Sequence, residues 1–142
     1  MSNCVFCDIL NGQAEASIVY RDDVSCAFLD LFPANPGHVL VIPAQHAAYM
    51  RDLPEETGGY LFRIGMLIAQ ALHESEFKCE GINYHLADGA AAGQEIFHVH
   101  LHIIPRVQGD GFGFKFARGR TPESTRSDLD SVAEKIRAML KR

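Results

Sequence analysis

Between Phe97 and Pro105 the chain alternates without a break: His98, His100 and His102 take every second position, with Val99, Leu101 and Ile103 between them. A period of 2 predicts a strand over 97–105, with three imidazoles on one face and three aliphatic side chains on the other. Same-face neighbours on a strand stand about 7 Å apart. A buried strand seldom carries three imidazoles in a row, because each must find hydrogen-bond partners. The pattern therefore points to chemistry. Residues 17–20 and 24–30 read as strands around the turn Arg21-Asp22-Asp23, and 38–43 and 81–86 as two more. Tyr60, Leu61, Ile64, Leu67, Ile68 and Leu72 keep helical spacing, predicting a helix from Pro54 to His73 that opens on a proline and two acids. Leu129, Val132, Ile136 and Leu140 mark a weaker amphipathic helix from Pro122 to Leu140. The sum is an α+β domain: a five-stranded antiparallel sheet with two main helices.

Composition narrows the field. A chain of 142 residues fits a single domain with a sizeable core. It has no apolar run near the ~18 residues of a membrane span, and its first residues lack the pattern of a secretory signal. A cytoplasmic protein is expected, with no membrane partner. Lys and Arg number 13 against 18 Asp and Glu, a net charge of −5. That balance excludes a broad nucleic-acid-binding face, which needs excess positive charge.

Cys4 and Cys7 form a C-x-x-C pair that by itself fits a metal site, a redox pair or coincidence. As half of a tetrahedral zinc site it needs two further ligands, usually histidines. His38, His46 and the trio are available; His73 and His85 read as structural, at a helix end and on a strand surface. Cys26 and Cys79 read as inert thiols. Gly89-Ala90-Ala91-Ala92-Gly93-Gln94 reads either as a flexible turn or as small-residue backbone able to approach an anion. Asp30 ends a strand, where it caps the following loop or grips a hydroxyl. Residues 106–120 carry Arg106, Lys115, Arg118 and Arg120 around Phe112, Phe114 and Phe116. They read as a solvated basic loop or as a cationic flap over an anionic leaving group.

The stretch His98-Val-His100-Leu-His102-Ile-Ile104 resembles the signature of the histidine triad (HIT) family, in the small zinc-bearing bacterial branch related to purine nucleoside phosphoramidases. Cys-Val-Phe-Cys at 4–7, Ala27-Phe-Leu-Asp30, Gly37-His-Val-Leu-Val-Ile-Pro43, Gly93-Gln94 and Pro105-Arg106 extend the resemblance, which is looser over the last third. It implies one HIT domain over 1–142, with a zinc-binding segment at 1–12 and a flap and C-terminal helix at 106–142. It implies a homodimer with joined sheets and a purine nucleotide of AMP type in each subunit's cleft. It also implies attack of His100 on the α-phosphorus of a phosphoramidate or dinucleoside polyphosphate, forming a covalent nucleotidyl-histidine. His98, His102 and His38 would complete the catalytic set. Gln94, Gly93 and backbone near Glu95 would meet phosphate, Asp30 the ribose, and Phe28 and Leu31 the base. Cys4, Cys7, His46 and His98 would hold a structural zinc.

Two positions depart from the phosphoramidase pattern: Ala87 stands where asparagine is common and Glu95 where serine is. Two other readings compete. A metallohydrolase would use His98, His100 and His102 as ligands of one open metal. A non-catalytic HIT protein would bind nucleotide without turnover.

Overall fold

Five strands build one antiparallel sheet: β1 (Ile18–Arg21), β2 (Ser25–Leu29), β3 (Val39–Pro43), β4 (Gly81–His85) and β5 (Leu101–Arg106), in the order β1-β2-β3-β5-β4. Three helices accompany it among the described residues: α1 (Val5–Leu10), α2 (Glu55–Glu74) and α3 (Arg126–Met139). The computed structural model describes residues 3–113 and 122–141. The proposed flap positions Phe114, Lys115, Phe116, Arg118 and Arg120 lie outside the described residues. The chain divides into two units, 1–112 and 113–142.

Within the first unit the pleat sorts side chains onto two faces. Ala27, Val39, Val41, Leu101 and Ile103 pack with Leu61, Ile64, Ala69 and Leu72 of α2. The opposite face carries Cys26, Phe28, Leu40 and Ile42 under Phe6 and Ile9 of α1. Registers Phe28↔Leu40, Leu40↔His102 and His85↔His102 continue that face as one row across four strands. The histidines therefore share the face covered by α1, away from α2.

α2 lies close on the sheet because Gly65 lets it. A Cβ there would come within 2.8 Å of Ile103 Cδ1 and 3.2 Å of Leu101 Cδ2. Gly37 has φ +91°, and a Cβ on it would meet Leu72 at 2.9 Å, so glycine answers both constraints at the turn into β3. The β1–β2 turn is locked by Asp22. One carboxylate oxygen accepts Val24 and Ser25 N–H, both at 2.8 Å; the other accepts the hydroxyls of Tyr20 at 2.7 Å and of Tyr60 on α2 at 2.6 Å. Burial alone would raise this carboxyl's pKa. The four hydrogen bonds outweigh burial and hold it well below the usual carboxylate range.

Two elements differ from the sequence expectation, and a short third helix adds to the two expected. The strand foreseen from Phe97 begins at Leu101. The β3–β5 ladder pairs only Val39–Val41 with Leu101–Ile103, and the Pro43 carbonyl beyond it accepts the His98 ring N–H at 2.9 Å. Val99 N–H turns instead to the Ala47 carbonyl at 2.8 Å. The in–out alternation nonetheless persists: Val99 joins the α2 core while His98 and His100 meet Phe6. The Cys4–Leu10 segment is helical, with Cys4 Sγ as its N-cap acceptor from Cys7 N–H. α3 starts after Thr125, whose capping box with Asp128 places the helix start beyond Pro122.

Candidate active site and metal centre

Backbone carbonyls and amides assign the protons in the histidine cluster. His98 is fully buried, and its Nε2 faces the Pro43 carbonyl at 2.9 Å. A carbonyl only accepts, so Nε2 carries the proton and Nδ1 keeps its lone pair. That lone pair points into a group of three other ligand atoms. Nδ1 of His98 lies 3.4 Å from Cys4 Sγ, 3.6 Å from Cys7 Sγ and 3.2 Å from His46 Nδ1, and Cys7 Sγ lies 3.3 Å from His46 Nδ1.

A tetrahedral zinc, with Zn–S of about 2.3 Å and Zn–N of about 2.0–2.1 Å, sets N···N edges of about 3.3 Å and N···S edges of about 3.6 Å. The observed spacings follow that tetrahedron within a few tenths of an ångström. All four donor atoms lie within 4.8 Å of one another. Burial, then the hydrogen bond and charge of Cys4, push the Cys7 thiol up to about 11. Two thiolates crowd each other unless a cation sits between them. The Cys2His2 group fits zinc, and four protein ligands leave no open position for a substrate.

His100 is arranged the opposite way. Its Nδ1 lies 2.8 Å from the His98 carbonyl, so Nδ1 carries the proton and Nε2 keeps the lone pair. His38 Nδ1 accepts the Ala34 N–H at 3.0 Å, which puts the His38 proton on Nε2. That proton goes to His102 Nδ1 at 2.8 Å, with Asp30 Oδ2 at 3.4 Å as a second, weaker acceptor. His102 therefore bears its own proton on Nε2. Burial pushes the His38 pKa down against the pull of Asp30. Burial, then the imidazoles of His100, His38 and His85, drive His102 down to about 3. Both rings stay neutral at physiological pH.

Asp30, His38 and His102 also satisfy the spacing of a metal site. The tautomers argue otherwise: with Nδ1 engaged and Nε2 protonated, His38 offers no lone pair to a cation. The trio likewise splits its tasks. His98 Nδ1 faces sulfur, His100 Nδ1 a carbonyl and His102 Nδ1 His38.

Other sequence candidates take these places. Asp30 Oδ1 accepts Phe32 N–H at 2.9 Å, and its Oδ2 faces His38. Leu31 is 84% exposed on the same loop, whereas Phe28 is 3% exposed in the α1 core, its ring 5.5 Å from Phe6. Gly93 closes a short turn at Ala90–Ala92 in the left-handed region. Gln94 is buried: its amide nitrogen donates to the Ala48 carbonyl at 2.7 Å and the Ile96 carbonyl at 3.1 Å, and its oxygen accepts Gly89 N–H at 2.8 Å. It organises the loop before His98, and its donors are engaged there. Glu95 is exposed and Ala87 buried.

Two residues at the cluster escape the sequence reading. His85, read there as a surface residue, is the cross-strand partner of His102, with ring centroids 5.5 Å apart. Only the β4–β5 register reveals it, and the irregular loop 86–100 hides that register. Phe6 lies edge-on to both His98 and His100. An aromatic inside the Cys-x-x-Cys segment was the available signal.

This fold has known counterparts. The sequence matches the HIT domain family over residues 11–109, and the chain belongs to that family. A HIT family protein from Bacillus anthracis superposes with TM-score 0.89 at 38% identity, covering 99% of each chain. A zinc-bound histidine triad family protein from Mycobacterium smegmatis gives TM-score 0.76 at 37% identity, covering 96% of this chain and 97% of its own. A histidine triad nucleotide-binding protein from Candida albicans gives 0.84 at 26% identity, covering 96% of each.

Proposed function

We propose that this protein is a nucleotide hydrolase or nucleotidyl transferase, working through a covalent intermediate on His100 at the α-phosphorus of a purine nucleotide. The observation that carries this reading is the His100 Nδ1 to His98 carbonyl bond at 2.8 Å, which reserves the Nε2 lone pair for attack. The nucleotide-binding name of the Candida albicans relative and the phosphoramidase resemblance support the substrate class.

In the first step the Nε2 lone pair forms a P–N bond while the bond from phosphorus to its leaving nitrogen or oxygen breaks. The electron pair departs with the leaving group, which takes up a proton. The nucleotidylated ring is then a cation, and the His98 carbonyl receives its Nδ1–H. In the second step water attacks phosphorus, the P–N bond returns its pair to Nε2, and water's proton leaves to solvent. His38 and His102 hold the neighbouring shell neutral and ordered. Asp30 and exposed Leu31 lie on one loop, suited to ribose hydroxyls and base; the backbone N–H groups of Gly93 and Gln94 are engaged by Ala90 and Gly89, which leaves those of Glu95 and His100 to meet the phosphoryl oxygens. When zinc is bound, Cys4, Cys7, His46 and His98 hold it, and it supplies cross-linking of α1 to the histidine segment. Reduced thiols for that role suit a cytoplasmic setting.

We also infer a homodimer. β4 is an edge strand of the sheet, and Phe62, Met66 and Leu67 leave an apolar stripe exposed on α2. A second copy would cover both.

The test is hydrolysis of adenosine 5′-phosphoramidate and diadenosine tetraphosphate by wild type and His100→Ala, with trapping of the intermediate by a denaturing alkaline quench. Turnover lost in the variant while AMP still binds, with a base-stable, acid-labile adduct in wild type, supports the reading. AMP binding without turnover by wild type would favour the non-catalytic reading.

A further inference from the structure

The single hydrogen bond on Nδ1 fixes one atom of the His100 ring, and a planar ring held at one atom still has freedom to tilt. Two ring contacts supply what is missing: His102 lies 5.0 Å away at 62° on the histidine strand itself, and Phe6 meets the ring from α1. Phe6 is 4% exposed, and its ring lies 5.2 Å from His100 at 74° and 5.8 Å from His98 at 79°. Phe28 backs it at 5.5 Å and 64°. These are edge-to-face geometries, which favour one ring orientation over a splay of them.

Phe6 stands between Cys4 and Cys7 on α1, the two residues that face His98 Nδ1 at 3.4 and 3.6 Å. His98 thus has four engagements: its Nδ1 faces the other three ligand atoms, its Nε2–H donates to the Pro43 carbonyl, its carbonyl holds the His100 proton, and its ring packs on Phe6. We propose that Phe6 is a positioning residue for His100, carried on the α1 segment that the Cys2His2 group ties to His98. The four-ligand site then orients the nucleophile without touching substrate. The proposal rests on the reading of His100 as nucleophile and deepens it.

Phe6→Leu keeps an aliphatic filler under α1 and removes the ring. In the zinc-loaded protein two readouts are taken together: the long-range 1H–15N spectrum of His100, which reports its tautomer, and the split of kcat from KM. The proposal expects zinc content to hold at one per chain and the single Nδ1–H tautomer of wild type to become a mixture. It also expects kcat to fall about tenfold with KM little changed, the scale of one aromatic pair.

An unchanged tautomer with unchanged kcat overturns it. So does a raised KM with kcat intact, which makes Phe6 a wall of the ligand pocket. Should Phe6→Leu fail to fold or lose its zinc, wild type before and after chelation replaces it: tautomer mixing on zinc removal supports the proposal, and an unmoved His100 spectrum overturns it. A tautomer change in a protein that turns over neither substrate would retain Phe6 as the brace of His100 while removing the catalytic reading.

Discussion

His38 and His102 face each other at 2.8 Å, Nε2 to Nδ1, and the Ala34 backbone N–H behind His38 decides which of them donates. Both rings have pKa values pushed down, first by burial. The consequence for stability has a definite sign. An unfolded histidine takes up its proton near pH 6.5, whereas folded His102 refuses it until about 3. Below pH 6.5 the unfolded state binds more protons, so stability falls as pH falls through that window and is intact above it. Each neutral histidine contributes a slope of at most about 1.4 kcal/mol per pH unit. Urea unfolding between pH 7.5 and 4.5 should show the decline, and His102→Gln should flatten it. A wild-type midpoint constant over this range would show that the rings are not held neutral.

The four-ligand group makes a separate prediction. Cobalt(II) in place of zinc should give the intense visible bands of a tetrahedral thiolate site, with one metal per chain. His98→Ala should lose the bands and most of the metal, because its Nδ1 is the atom nearest the other three ligands in sequence-distant contact, at 3.2 to 3.6 Å. Chelation of wild type should lower its melting temperature, since metal bound only by the folded chain stabilises by mass action. Weak bands characteristic of six-coordinate cobalt would overturn the closed site.

How far the site could be read from sequence depends on which residues the backbone alone constrains. The alternation around His98, His100 and His102 placed three imidazoles on one side, and the structure retains that alternation even where the ladder stops at Leu101. The ladder's end was hidden, because it follows from a tertiary event: the His98 ring takes the Pro43 carbonyl. α2 was legible from periodicity because it buries one regular face, and the strands from short runs of aliphatic and β-branched residues between turn signals, β3 being buried on both faces. α1 was not, since six residues carry too few apolar positions for a helical period, and its cap is a cysteine. Gln94 illustrates a different limit. Its residue type suggests a phosphate donor, but only coordinates show its amide already engaged by Ala48, Ile96 and Gly89.

The Asp22 latch should be separable from the active site. Asp22→Asn keeps the size but weakens four hydrogen bonds to a charged acceptor, and it should cost about 1–2 kcal/mol after allowance for partial exposure. Because the folded pKa is depressed, this contribution is complete above the unfolded value near 3.9 and is lost as pH falls through the folded value. Wild type and variant should therefore differ in urea midpoint at pH 7 and converge in strong acid. Nucleotide affinity at pH 7 should stay unchanged, and a large loss of affinity would mean that the β1–β2 turn reaches the site.

Two glycines of α2 should respond to alanine with opposite signs. Gly59 is exposed, and a Cβ on it meets nothing within 4 Å. Gly59→Ala should then gain up to about 1 kcal/mol from helix propensity. Gly65 has the same intrinsic gain available, but its Cβ would press on Ile103 Cδ1 at 2.8 Å and Leu101 Cδ2 at 3.2 Å. Both neighbours are fully buried, so their methyl groups have no open space to enter. Overpacking of this kind costs about 1–3 kcal/mol, enough to cancel or exceed the propensity gain. β5 also carries His102, so a displaced Ile103 should disturb the His38–His102 pair. Thermal unfolding of the two variants measures the balance, and the His102 ring resonances report the displacement. Stabilisation by Gly65→Ala equal to that of Gly59→Ala would show that α2 does not seat tightly on the histidine strand.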